Sequence, residues 1–168
     1  MPEGIEARAH KVTRLAYVII AAGAFALDQV TKGMVERRIP LYDVVPVIPH
    51  FFNLTHTKNP GAAFGLFADS PAPWKTALLV VVSALLIAIV VGVVWRSRRL
   101  DWHTGAGLAL ILGGAVSNLL DRIRFGRVVD FLDFYFRGYH WFTFNLADSA
   151  IVAGAFFLIL EVTFSRHE

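Results

Sequence analysis

Residues 75–94 read KTALLVVVSALLIAIVVGVV, and past the first turn only Ser83 is polar. A helix of about 20 apolar residues matches the ~30 Å hydrocarbon core of a bilayer. Trp74 and Trp95 bracket the run as interfacial anchors, and Arg96, Arg98 and Arg99 close it with a basic stop. The rest of the chain has to be further spans or what connects them. Composition agrees: 56% of residues are hydrophobic, the mean hydropathy is +0.56 and 17% are charged, against about 25% charged in soluble domains. The 168 residues allow one domain, 1–168. A net charge of +3 reflects Lys and Arg beside apolar runs rather than a basic stripe, so no nucleic-acid partner is expected. With no Cys, disulfides, thiolate nucleophiles and Cys-ligated zinc are excluded.

Three further spans are expected. Residues 15–35 follow a segment carrying Arg8, Lys11 and Arg14, and the run continues beyond Leu27 as DQVTKGMV in helix-compatible residues, so it reads as a helix rather than a signal peptide. Asp28 and Lys32 near its far end stand four apart in the acid-first order of a helix pair; the bland alternative is that Asp28 marks the water interface. Residues 103–120 carry Gly105, Gly107, Gly113, Gly114 and Ala115, small enough for close helix contact. Residues 142–164 form the last span, with Asn145, Asp148 and Ser149 in its opening turns and Glu161 near its exit.

Two long connections remain. In residues 36–73, β-branched and aromatic residues are interrupted by Pro40, Pro46 and Pro49, which predicts short strands and turns. The stretch NPGAAFGLF then turns at Pro60-Gly61, and Gly61, Ala62 and Ala63 permit close backbone approach. It is either a loop lying on the membrane or a platform from which Asn59 presents an amide to a peptide. Residues 121–141, with RFGRVVDFLDFYFRGYHW, are too charged to span and are expected to form a turn and an interfacial segment. The expected architecture is a four-transmembrane-helix bundle.

Four spans return the chain to its starting side. The far ends of spans one and three, the start of span four and both long loops then share one leaflet, bringing Asp28, Asn59, Asn118, Asp121, Asp130, Asn145 and Asp148 together. Basic residues are densest in the termini and the short loop (Arg8, Lys11, Arg14, Arg96, Arg98, Arg99, Arg166), which puts both termini in the cytoplasm and the polar face outside it. Ionisable residues at membrane depth are costly and mark function.

Two carboxylates can divide the work of peptide hydrolysis: one stays protonated and polarises a carbonyl while the other, ionised, activates water. That chemistry needs no metal or cofactor. Asp130 and Asp148 are candidates, and Asp121 and Asp133 compete on spacing alone. Asp121 has Arg122 beside it and reads more simply as half of a structural ion pair. Asn118, Asn145 and Arg122 could orient substrate. His50, His56, His103 and His140 show neither HxxxH nor HExxH, no Ser sits in a GxSxG elbow, Ser149 has no obvious His partner and no Gly-rich phosphate loop is present. The competing classes are a carrier or proton relay using the same carboxylates, for which no internal repeat is found, and a scaffold.

Four blocks in order, LDQVTK, NPGAAFGLF, GGAVSNLLDRIRFGRVVDF and FNLADSAI, make the chain resemble the bacterial lipoprotein signal peptidases, or signal peptidases II, over nearly its whole length. The resemblance implies an aspartyl endopeptidase of the inner membrane that removes the signal peptide of a diacylglyceryl-modified prolipoprotein just before the lipidated Cys. It implies that the catalytic pair is Asp130 and Asp148. It further implies that Asp28, Asn59, Asn118, Arg122 and Asn145 line or support the pocket. Gly61 and Asp121 are expected beside them as supporting residues on their place in the sequence. A periplasmic-side site, a β-rich cradle from the first long loop and sensitivity to the cyclic peptide globomycin are implied as well.

Overall fold

The computed structural model describes residues 3–61, 74–97 and 100–164, with side chains from residue 14 onward. The side chains of Arg8 and Lys11, and residues Ala62, Ala63, Arg98, Arg99 and Arg166, lie outside that description. Four helices are long and apolar enough to cross a membrane: α1 (Glu3–Arg38), α2 (Trp74–Arg96), α3 (Trp102–Phe125) and α4 (Leu146–Phe164). Helix α3 is the hub, packed by α1, α2 and α4. In an 18-residue apolar stretch of α3 61% of residues are buried, against 6% in that of α2, and small residues explain the difference. An added Cβ would strike the Ala21 carbonyl of α1 at Gly113, and the Ala147 and Gly154 carbonyls of α4 at Gly114 and Gly107. Lipid tails are as apolar as Leu, so helices in a bilayer associate where small residues let backbones meet. Helix α2, with a hydropathy of 3.2 against 1.3 for α3, keeps its Val, Leu and Ile for lipid.

Two boundaries differ from the sequence reading. Helix α3 continues past 120 to Phe125 and stops at Gly126, whose φ of 68° and N–H to the Arg122 carbonyl (3.0 Å) form a left-handed C-cap. Asp121 and Arg122 are therefore helical, not the start of a loop. Residues 142–144 do not begin the last span. Phe144 bridges Leu132 and accepts the Phe131 and Leu132 amides at 3.0 and 2.9 Å, so α4 starts at Leu146.

The segment expected after the turn takes the form of a strand. Strands β1 (Val44–Ile48), β2 (Phe52–Asn59), β3 (Val128–Phe136) and β4 (Tyr139–His140) form an antiparallel sheet in sequence order. The run VVDFLDFYF is rich in β-branched and aromatic residues, which suit a pleated surface, and Phe52 of β2 stacks on Phe134 at 4.7 Å. Val129 and Phe131 of β3 pack on Val35 and Ile39 at the end of α1, which seats the sheet on the bundle.

Candidate active site

Helix α4 opens with a reciprocal cap. The Asn145 Oδ1 accepts the Asp148 N–H at 2.9 Å, and the Asp148 Oδ2 accepts the Asn145 N–H at 3.3 Å. This is the capping-box arrangement, written here as N-x-x-D; the spacing was legible in FNLADS but went unread. A further N–H of the first turn, that of Ala147, donates to the Asp28 Oδ1 at 2.9 Å. The cap aims the Asp148 side chain before any tertiary contact is made.

Asp130 comes from β3. Residues three apart on a strand project to opposite faces, so Asp130 and Asp133 part company. Asp133 accepts the Asn53 amide at 2.8 Å and meets the His140 Nδ1 at 2.9 Å, a use within the sheet. Asp130 faces α4. Its Oδ1 accepts the Asn145 Nδ2 at 2.7 Å and its Oδ2 the Asn59 Nδ2 at 2.9 Å. Next to it, Leu54 pairs with Leu132 and Thr57 with Asp130, so β2 carries one residue more than β3: a β-bulge, a device common beside active sites. Thr57 uses the offset to donate to the Asp130 carbonyl at 3.1 Å. Asn59 is itself set by the Gly61 N–H, which donates to its Oδ1 at 2.8 Å.

Asparagines join the two carboxylates. The Asn118 Nδ2 donates to the Asp148 Oδ1 at 2.8 Å, and the Asn145 Nδ2 reaches the Asn118 Oδ1 at 3.3 Å besides its bond to Asp130. Burial pushes the Asp130 carboxyl up to about 7, and the Asp148 charge adds to the rise; the amides of Asn59 and Asn145 and the Lys32 ammonium only partly oppose it.

Behind the asparagines lies a buried ionic cluster. The Lys32 Nζ stands 2.6 Å from the Asp28 Oδ2 and 2.7 Å from the Asp121 Oδ2, and donates to the Asn118 Oδ1 at 2.8 Å. The Gln29 Nε2 donates to the Ser117 Oγ and the Asp121 Oδ1, both at 2.9 Å, and the Ser117 Oγ donates to the Asp28 Oδ2 at 2.7 Å. Asp28, fully buried at 0% exposure, does not mark the water interface. Asp121 makes an ion pair, but with Lys32 rather than Arg122, because successive helix residues do not face each other. The Arg122 Nη2 donates instead to the Gly61 carbonyl at 3.1 Å, tying α3 to the first long loop. Sequence reasoning missed Gln29 and Ser117, and saw Lys32 only as the helix partner of Asp28. Gln29 stands one helical turn from Lys32 and Ser117 one turn from Asp121, and that spacing was the available signal.

Asn59, Asn118, Arg122, Asp130 and Asp148 line a cavity of about 750 Å³ whose other walls are largely apolar, with Trp141, Phe142 and Phe156 among them. Among the described residues no group of three or more His, Asp or Glu is placed to hold a metal ion. What the cavity offers is a carboxylate pair, amide donors and a guanidinium in apolar surroundings.

Residues 20–164 match the family model described as signal peptidase (SPase) II. The lipoprotein signal peptidase of Solibacter usitatus is 47% identical over 143 residues, covering 85% of this chain and 87% of the relative. That of Desulforapulum autotrophicum is 44% identical over 148 residues, covering 88% and 91%. A bacterial membrane enzyme solved by the in meso method superposes with a TM-score of 0.79 at 29% identity, covering 88% of this chain and 87% of that one.

Proposed function

The chain belongs to the signal peptidase II family, and we propose that Asp130 and Asp148 are the pair with which it cuts a diacylglyceryl-modified prolipoprotein before the lipidated Cys. The observation that carries the assignment is the joint one: two carboxylates bridged by Asn118 and Asn145 at the wall of an apolar cavity, with Asp130 titrating near neutrality. An aspartyl mechanism is the one such a pair supports. The carrier reading gains nothing from the family.

Asp130 holds the proton at the outset. The Asp148 carboxylate removes a proton from water as the water oxygen bonds to the scissile carbonyl carbon, and Asp130 gives its proton to the carbonyl oxygen. Collapse breaks the C–N bond: Asp148 passes its proton to the leaving amine, and Asp130 takes one back from a hydroxyl of the diol. The pair ends as it began. Asn59 and Arg122 flank the path of an extended peptide, and the apolar walls receive the acyl chains and signal helix. A globomycin-type cyclic peptide would occupy the same cavity.

The site belongs on the extracytoplasmic side of the bacterial inner membrane, with both termini in the cytoplasm; basic Arg14 and Arg96 at the other end of the bundle support that orientation. The first hairpin acts as a β-rich cradle. All five β1 residues are exposed, with Val44, Val45, Val47 and Ile48 among them, as suits a strand resting against lipid.

The test is cleavage by purified protein in detergent. Lipidated prolipoprotein is cut before its Cys and the unlipidated form is not. The working pair needs one proton, so the rate falls above about pH 7, approaching tenfold per unit once Asp130 ionises. Stability follows the same sign. In the unfolded chain Asp130 ionises near 3.8, in the folded chain near 7. The folded state therefore binds more protons in between, and the stability present below that window is lost as pH rises through it. Equal cutting of the unlipidated substrate, or a rate still rising at about pH 9, would sink the assignment.

A further inference from the structure

We propose that the groove between α1 and α2, at the end of the bundle away from the carboxylates, holds one anionic phospholipid. Helices α1 and α2 pack on α3 rather than on each other, leaving a groove of about 480 Å³. Ala109, Leu112 and Gly113 of α3 floor it, and Ala22 and Phe25 of α1 face Val91 of α2 across it. It shares no lining residue with the catalytic cavity.

Shape and charge choose the occupant. A helix 10–12 Å across displaces roughly 400–600 Å³ per 5.4 Å turn, so the groove would take little more than one turn of a peptide. A hydrocarbon chain is thin enough to run its length. The single charged residue of the lining is Arg14, exposed at the mouth. Tyr17 and Trp95 line the same end, Tyr17 lies 5.8 Å from the ring of Trp102, and exposed Arg96 follows Trp95. Aromatic rings sit at headgroup level, and basic pockets between spans on the cytoplasmic side recognise anionic headgroups. Arg14 meets the phosphate while an acyl chain descends past Ala22 and Val91. The Tyr17 hydroxyl, turned to the Leu100 carbonyl at 3.4 Å, leaves its ring on the groove wall.

Native mass spectrometry of the full chain in detergent, titrated separately with phosphatidylglycerol and phosphatidylcholine, tests this. Wild type retains one phosphatidylglycerol with about tenfold preference, a difference of about 1.4 kcal/mol. Arg14→Gln removes the preference and Arg14→Lys keeps most of it. Ala22→Trp, at an exposed position, fills the groove and removes the bound lipid. Equal retention of both lipids by wild type, or lipid retained by Ala22→Trp, overturns the proposal. So does an Ala22→Trp variant that keeps its lipid and loses an apolar signal-helix peptide, which would make the groove a peptide site.

Discussion

Asp130→Asn and Asp148→Asn each leave a folded protein that cuts lipidated prolipoprotein at least about 10³-fold more slowly, within the 10²–10⁴-fold range of a general acid or base and near its upper end. Neither amide can hold the proton that the pair passes between water and leaving amine. The double variant loses little more than either single one, because the two act as one unit. The fold survives for a local reason. Asparagine at 130 keeps an oxygen for Asn145 or Asn59, which donate at 2.7 and 2.9 Å, and sheds a carboxylate that burial disfavours. At 148 the cap loses one weak acceptor to the Asn145 N–H at 3.3 Å. Asp133→Asn is the control. Its carboxylate faces Asn53 and His140 on the opposite side of the strand, so cleavage stays within about threefold of wild type, a change of well under 1 kcal/mol in the barrier. Retained cutting by Asp130→Asn, or its loss in Asp133→Asn, would move the catalytic assignment to the other face.

The second large effect is on stability. Lys32→Met removes the ammonium that Asp28 and Asp121 flank at 2.6 and 2.7 Å and leaves two carboxylates buried without it. Breaking a buried ion pair on one side costs about 3–5 kcal/mol. For a chain of this size that lowers Tm by roughly 10 °C, at about 2–4 °C per kcal/mol. Activity falls with it, because Lys32 also holds the Asn118 Oδ1 whose Nδ2 positions Asp148. Adding Asp28→Asn and Asp121→Asn to Lys32→Met removes the uncompensated charge and restores much of the Tm, but not the cleavage. Thermal unfolding in detergent decides it. A Lys32→Met protein as stable as wild type would mean that the cluster is not the bundle's internal anchor.

Strand parity and helix geometry explain which residues were legible in the sequence. Asp28 and Lys32 were readable as a pair because a helix brings i and i+4 together whatever surrounds it, and they stand 2.6 Å apart. Asp121 and Arg122 misled for the converse reason, since chain neighbours on a helix diverge and Asp121 found its cation on α1. The strand form of the charged run after Gly126 was not legible because hydropathy averages over both faces. As a strand, the same run buries Val129 and Phe131 on one side and turns Asp130 to the other. The start of α4 shifted to Leu146 because Phe144 hydrogen-bonds across to β3, a contact with no local signature.

The sequence by itself determined that this chain crosses a membrane through four helices, that its polar residues gather at one end of the bundle, and that its blocks are those of the signal peptidase II family. Hydrocarbon thickness and backbone satisfaction act on each span separately, so local composition suffices for them. Only the tertiary structure decided that two asparagines link Asp130 to Asp148 while Asp133 turns to Asn53 and His140, and that Lys32 stands between Asp28 and Asp121. Those outcomes depend on a bulge in β2 and on small residues that bring α3 against α1 and α4, contacts between distant segments that no local pattern encodes.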